Sequence, residues 1–128
     1  MSEEQIALAK RAVECKAWKW MPGMLACDAR FIRHRIQDDG SALDLSDDIL
    51  NRAWGYSPDT LRPILTDPAT LGCLLALVRE AYPRDRGLVP IDMGDGEWQV
   101  ILKHERKWSH VVGKSEAEAL VAALEAAP

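Results

Sequence analysis

Between Ala69 and Val78 the chain carries no charged residue. A helix over this run is apolar on nearly every side, and such a helix has to be covered on nearly every side. Pro68 suits the first helical position, where its missing N–H has no helical partner. Asp67 or Thr66 can cap the free N–H groups at that end. Pro83 stops the run, because proline disfavours helix at the residue before it. The pattern predicts a central, buried helix over 68–82, in which a charge placed at Leu75 prevents folding.

The flanking pattern is amphipathic. Ile6, Ala9, Val13 and Ala17 recur at helical spacing, which predicts a helix over 3–18 with Ser2 as N-cap. Pro22-Gly23 is a turn signal. Met24–Cys27 and 30–36 read as a hairpin around Asp28-Ala29, with Arg33 and Arg35 exposed on its second strand. Residues 41–66 are the least regular; Ser46-Asp47-Asp48 suits the cap of a short helix over Ile49–Trp54. After the central helix, Leu88–Met93 suits a short edge strand, since Pro90 is tolerated only at an edge. Trp98, Val100 and Leu102 alternate with Gln99, Ile101 and Lys103, and Trp108, His110 and Val112 alternate with Lys107, Ser109 and Val111. These are two strands joined by a hairpin around His104-Glu105. Ser115-Glu116-Ala117-Glu118 is a capping box ahead of an alanine-rich helix carrying Leu120, Val121 and Leu124. The order α-ββ-α-ββ-α, with a further short strand allowed, predicts a single α+β domain. Roughly four antiparallel strands are expected, packed with about three helices.

Composition adds bounds. A chain of 128 residues, 48% apolar and 28% charged, is of ordinary globular make-up and can bury a core without a metal or disulfide. Its net charge of −4 argues against a general nucleic-acid binder, which shows a basic excess. Cys15, Cys27 and Cys73 are odd in number and widely spaced, which fits a reducing compartment. The opening Met-Ser-Glu-Glu lacks the features of a signal peptide, and no apolar run is long enough to span a membrane. A cytoplasmic location without membrane contact is expected.

Three blocks carry a family resemblance: Trp-Lys-Trp-Met-Pro-Gly-Met at 18–24, Asp-Pro-Ala-Thr-Leu-Gly-Cys-Leu-Leu-Ala-Leu-Val-Arg-Glu-Ala at 67–81, and Glu-Ala-Glu-Ala-Leu-Val-Ala-Ala-Leu-Glu-Ala-Ala at 116–127. In this order they resemble small proteins of tailed bacteriophages and prophages. There is a looser similarity to phage domains built as an α/β/α sandwich. The resemblance implies a phage or prophage source and a fold class, and it supplies no catalytic residue.

The candidate chemistry is sparse. His34, His104 and His110 with Cys27 lack the converging spacing a metal requires. Cys73 reads as a small core residue, and Cys15 and Cys27 have no nucleophile signature around them. Asp38, Asp39, Asp44, Asp47, Asp48, Asp92 and Asp95 read as solvated loop carboxylates without calcium-loop spacing. Gly94-Asp95-Gly96 has no strand–helix context for a phosphate loop. No cofactor, no metal and no enzymatic activity are expected.

Two binding surfaces remain. Trp18 and Trp20, with Met21 and Met24, surround a chain break, and aromatics and methionine are enriched at protein interfaces. This segment suits contact with a host or phage protein. The five tryptophans otherwise suit the core, covering the sheet. Alternatively, Lys19, Arg30, Arg33 and Arg35 with Trp18 and Trp20 offer nucleic acid a basic, aromatic surface. The closing strand–strand–helix order is also similar to double-stranded-RNA-binding domains. Those carry lysines at the start of their last helix, where Glu116 and Glu118 stand here. A non-enzymatic accessory protein acting through protein contacts is therefore the leading expectation, with a small nucleic-acid-binding module second. The oligomeric state stays open.

Overall fold

The fold is α+β, seen in a computed structural model that describes residues 1–45, 52–53, 61–84, 88–104 and 106–128, with the backbone alone at 52, 53 and 104. The chain divides into two compact units, Met1–Glu14 with Lys19–Cys73, and Cys15–Trp18 with Leu74–Pro128. Each unit holds its own antiparallel sheet, where a single sheet was expected. The two predicted hairpins lie in separate sheets, and short strands within the irregular 41–66 stretch extend the first.

In the first unit, helix α1 (Glu3–Glu14) is followed by β1 (Leu25–Cys27), β2 (Arg33–Ile36), β3 (Ala42–Asp44), β4 (Arg52–Ala53) and β5 (Arg62–Pro63). The spatial order is β4-β3-β2-β1-β5. Ser2 caps α1 as expected: its Oγ accepts from Gln5 N–H at 3.2 Å, while Gln5 Oε1 accepts from Ser2 N–H at 2.9 Å. The helix stops at Glu14, short of the predicted 18. Its fully buried positions are Ala9 and Ala12, so small side chains set the approach of the helix to β5, which it contacts.

The predicted hairpin forms, but not around Asp28-Ala29: Leu25 lies opposite Arg35 and Cys27 opposite Arg33, which centres the turn on Arg30. Pro22-Gly23 turns into β1 through a Met24 N–H to Met21 O bond of 3.1 Å, with Gly23 at φ +94°. That is the left-handed position a type II turn reserves for glycine. The short helix expected over Ile49–Trp54 meets strand β4 at Arg52–Ala53; its other positions, with Ser46-Asp47-Asp48, lie outside the described residues.

Helix α2 (Pro68–Ala81) contributes its residues through Cys73 to the first unit and the rest to the second. Asp67 is the cap. Its Oδ2 accepts from the Thr70 N–H at 3.0 Å, the Thr70 hydroxyl at 2.9 Å and Arg35 Nη1 at 3.0 Å. Thr70 Oγ1 in turn accepts from the Leu25 N–H at 2.7 Å, and Arg35 Nη1 also donates to Gly23 O at 2.9 Å. Cap, strand β1 and strand β2 are thereby one network. Burial on α2 follows a stripe of Thr70, Leu74, Leu77 and Val78, while Ala69, Gly72 and Ala76 are exposed and Leu75 is half-buried. The helix is thus covered on one face, contrary to the all-round burial expected. Small residues on the open side are what disguised its amphipathicity.

In the second unit, β6 (Pro90–Asp92), β7 (Trp98–His104) and β8 (Lys107–Gly113) form a meander in the order β6-β7-β8, followed by α3 (Glu116–Glu125). Pro90 sits on an edge strand, as predicted. Ser115 caps α3, its Oγ accepting from Glu118 N–H at 3.1 Å. Helix α3 contacts all three strands, and Ala117, Ala119, Leu120, Val121, Ala123 and Leu124 are buried. Tyr82 donates its hydroxyl to Ala123 O at 2.9 Å. At Gly113, a Cβ would stand 2.4 Å from Ala119 N and 2.8 Å from the Glu118 carbonyl carbon, so only glycine lets β8 end against the α3 backbone.

Gly113→Ala should therefore destabilise by about 3 kcal/mol, because backbone rather than a side-chain tip must move. Gly72→Ala, helical and open, should stabilise by about 1 kcal/mol. Asp67→Ala should cost about 2–4 kcal/mol, since it removes the cap and strands the buried Thr70 hydroxyl and the Arg35 guanidinium. Chemical denaturation with tryptophan fluorescence measures all three.

Candidate interaction surface

The residues singled out around the first hairpin do not form one surface. Met24 is fully buried, because it enters β1 and carries the chain into the core; its sulfur accepts from the Met21 N–H at 3.3 Å. It is a core residue, not a docking residue. Arg35 is half-buried and bound to Gly23 O and Asp67, so it holds the fold instead of facing solvent. Trp18, Trp20 and Met21 are half-buried, and the indole Nε1 atoms of both tryptophans are shielded from solvent. Arg30 and Arg33 are exposed.

The hairpin tip has its own chemistry. Asp28 N–H donates to Ile32 O and Phe31 N–H to Asp28 O, both at 3.0 Å. This is a three-residue loop whose last residue takes the left-handed conformation. Phe31 occupies that position at φ +64° with 62% of its surface exposed. Glycine ordinarily serves there, so the side chain is held at a steric cost. Asp28 enforces the turn: Oδ1 accepts from Arg30 N–H at 2.8 Å and Ile32 N–H at 3.1 Å, and Oδ2 pairs with His34 Nε2 at 3.1 Å. Burial pushes the Asp28 pKa up, but the hydrogen bonds from His34, Ile32 and Arg30 outweigh it and bring it down from 3.8 to about 2. A carboxylate this acidic only accepts, so His34 Nε2 carries the proton of that bond. His34 and Asp28 are thus committed to each other and to the turn.

The second unit exposes a broader apolar surface. Across β7 and β8, Lys103 faces Trp108, Ile101 faces His110, and Gln99 faces Val112; on the other side Ile91 faces Gln99. Opposed residues share a face of a sheet. Val100 and Leu102 point to α3 and are buried, so this second set forms the outer face. On it, Trp108 is 66% exposed, and Ile91, Ile101 and Val112 are exposed as well. Val89 and Met93, two positions either side of Ile91, are also exposed. Lys103 Nζ stands 5.2 Å from the Trp108 ring centroid, a cation–π distance that rests the indole on this face. Trp108 was expected in the core. The β7–β8 register overturns that, because it pairs Lys103 with Trp108 and sends Trp108 to the side opposite Leu102. The same register arithmetic is available from the sequence, and it is the signal that alternation alone misses.

Other chemistry finds little support. Burial pushes the thiols of Cys27 and Cys73 up from their ordinary value, the opposite of what activates a nucleophile. Among the described residues, no three His, Cys, Asp or Glu side chains are grouped to hold a metal ion. Among them also, no helix is long and apolar enough to cross a membrane.

The fold and surface define an α+β chain with one apolar sheet face turned to solvent. No protein-family model, curated protein or solved structure matches it, so no positive indication of an enzyme comes from relatives.

The Asp28 turn has a pH signature. Its folded pKa lies below the unfolded value, so its contribution to stability is complete above about pH 4 and is lost as pH falls toward 2. Asp67 acts in the same sense, because burial raises its pKa but the Thr70 and Arg35 hydrogen bonds lower it further. Urea unfolding measured between about pH 5 and pH 2 should show the wild type losing stability as the pH falls. Asp28→Asn should show a shallower fall, from a lower starting value.

Proposed function

We propose that the protein is a phage- or prophage-encoded accessory protein of the bacterial cytoplasm that works by protein–protein contact. Its docking surface is the outer face of the three-stranded sheet. The single observation that carries this reading is the exposure of Ile91, Ile101, Trp108 and Val112 on one continuous sheet face. Contiguous exposed apolar surface on a small domain marks an interaction site more often than scattered exposure does. The three sequence blocks at 18–24, 67–81 and 116–127 support the source.

A nucleic-acid-binding module is the second reading, and Phe31 favours it. An exposed aromatic ring between Arg30 and Arg33 suits stacking on an unpaired base beside a phosphate. It is the smaller surface, since Arg35 is committed to Asp67 and the two tryptophans are half-buried.

The test is capture from bacterial host lysate with and without nuclease, using wild type and an Ile101→Ser/Trp108→Ser double variant. Both side chains are exposed, so the variant should melt within a few degrees of wild type. A partner retained under nuclease and lost with the double variant is the expected result. Recovery of nucleic acid alone, or capture unaffected by the double variant, would sink the sheet-face reading.

A further inference from the structure

We infer that the partner engages this surface as an added β-strand: an extended segment, apolar at alternate positions and acidic at both ends, pairs with the open edge of β8. The inference rests on the sheet-face reading and deepens it.

The backbone geometry comes first. The Met93 N–H to Glu97 O bond of 2.9 Å sets the alternation of the β6–β7 ladder, in which bonded and non-bonded pairs succeed one another. Counting inward, Gln99 bonds toward β6. Trp98, Val100 and Leu102 therefore bond toward β8, to Gly113, Val111 and Ser109. The N–H and C=O groups of Trp108, His110 and Val112 consequently point away from β7. No other strand pairs with β8 among the described residues.

The middle of the edge carries none of the usual protections. Proteins blunt an open edge with proline, a bulge or a charge in the middle of the strand. The β7–β8 register runs unbroken from Trp98↔Gly113 to His104↔Lys107, and residues 108–112 contain neither proline nor a charged side chain other than His110. Ser109 is exposed although it lies on the α3 side of the sheet, so this margin is open on both faces.

Charge decides the occupant. Arg106 and Lys107 stand exposed at one end of β8 and Lys114 at the other, and no acidic residue falls between 106 and 114. Among the described residues, the acidic residues of this sheet, Asp92, Asp95 and Glu97, belong to β6 and the β6–β7 turn, not to the β8 edge. A second copy of β8 is the natural competitor for an open edge. Antiparallel self-pairing about His110 would place Trp108 against Val112, which is favourable, but also Arg106 against Lys114 at both ends. Like charges directly opposed are destabilising. A segment with carboxylates at both ends meets these cations instead, and β-branched residues between them pack beside Trp108 and Val112. This is strand addition, in which main-chain bonds supply affinity and alternate side chains supply specificity.

The probe is a dye-labelled, capped peptide, Glu-Glu-Val-Thr-Val-Thr-Val-Glu-Glu, which spans 106–114 in antiparallel register. Binding to the full chain is read by fluorescence anisotropy, beside the same peptide with lysine in place of every glutamate. The acidic peptide should bind at least about tenfold tighter than the basic one, and should weaken with added salt. His110→Pro removes an outward N–H while leaving the β7 ladder intact, a place where an edge strand tolerates proline. It should weaken binding about tenfold, roughly the loss of one main-chain hydrogen bond, with melting temperature little changed. Val112→Pro serves the same purpose if His110→Pro unfolds. Equal affinity for the two peptides, or full affinity in both proline variants, overturns the inference. So does a dimer, seen by sedimentation, that the proline variants dissociate, since a second copy would then own the edge. If lysate capture is lost with Ile101→Ser/Trp108→Ser yet unchanged in both proline variants, the partner sits on the face alone; strand addition fails while the sheet-face reading stands.

Discussion

One carboxylate oxygen holds the first unit together. Asp67 Oδ2 receives the Thr70 amide, the Thr70 hydroxyl and the Arg35 guanidinium at 2.9–3.0 Å. Through them it fixes the start of α2 against β1 and β2. A helix N-terminus leaves amides without partners, and a strand entering a sheet edge leaves others. Here one side chain and one buried threonine serve both, because Thr70 Oγ1 accepts from Leu25 as it donates to Asp67. Hydrogen bonds to a charged group are among the stronger ones in a partly buried setting. Removing the Asp67 carboxylate takes a shared acceptor from the Thr70 amide, the Thr70 hydroxyl and Arg35 at once, leaving Arg35 its bond to Gly23 O, so the network is worth more as a whole than its separate bonds.

The second unit is organised by contact distance rather than charge. Helix α3 covers the sheet with alanines at half of its buried positions, which lets the helix lie close. Close approach is also what Gly113 permits, where any Cβ would enter the α3 backbone. The consequence is a one-sided sheet. Val100 and Leu102 are satisfied beneath α3, and the apolar residues of the other face receive no cover from within the unit.

Local signals with a direct chemical cause were legible in the sequence. The Ser115 cap, the Asp67 cap, the Pro22-Gly23 turn and the edge position of Pro90 each depend on one residue's own geometry, and all four formed. Features that depend on register were not legible from periodicity. Arg33 and Arg35 lie on the same side of β2, yet Arg35 stands at the end of the strand beside Gly23 O and Asp67 and is bonded to both, while Arg33 is exposed. Trp108 looked like core because large aromatics usually are, but its face is fixed by its pairing with Lys103. The short strands β3, β4 and β5 escaped notice for a further reason: segments of two or three residues carry no period to detect. As for the site, Arg30 and Arg33 were placed correctly at the surface. The residues of the sheet face were named only as strand positions.

Stability and apolar exposure fall on different residues here. Asp67, Arg35, Thr70, Met24 and Gly113 are packed or bonded, and a change at any of them alters the fold before it alters a surface. Ile91, Ile101, Trp108 and Val112 make few demands on the fold, since their side chains already face water. Leaving them apolar forgoes favourable hydration and creates a hazard of self-association. That hazard is countered at β8 not within the strand but at its ends, by Arg106, Lys107 and Lys114. Cations placed there oppose a second copy in antiparallel register without blocking a strand of opposite charge. An edge protected only against itself differs physically from one protected against all comers, and the distribution of charge along 106–114 is of the first kind.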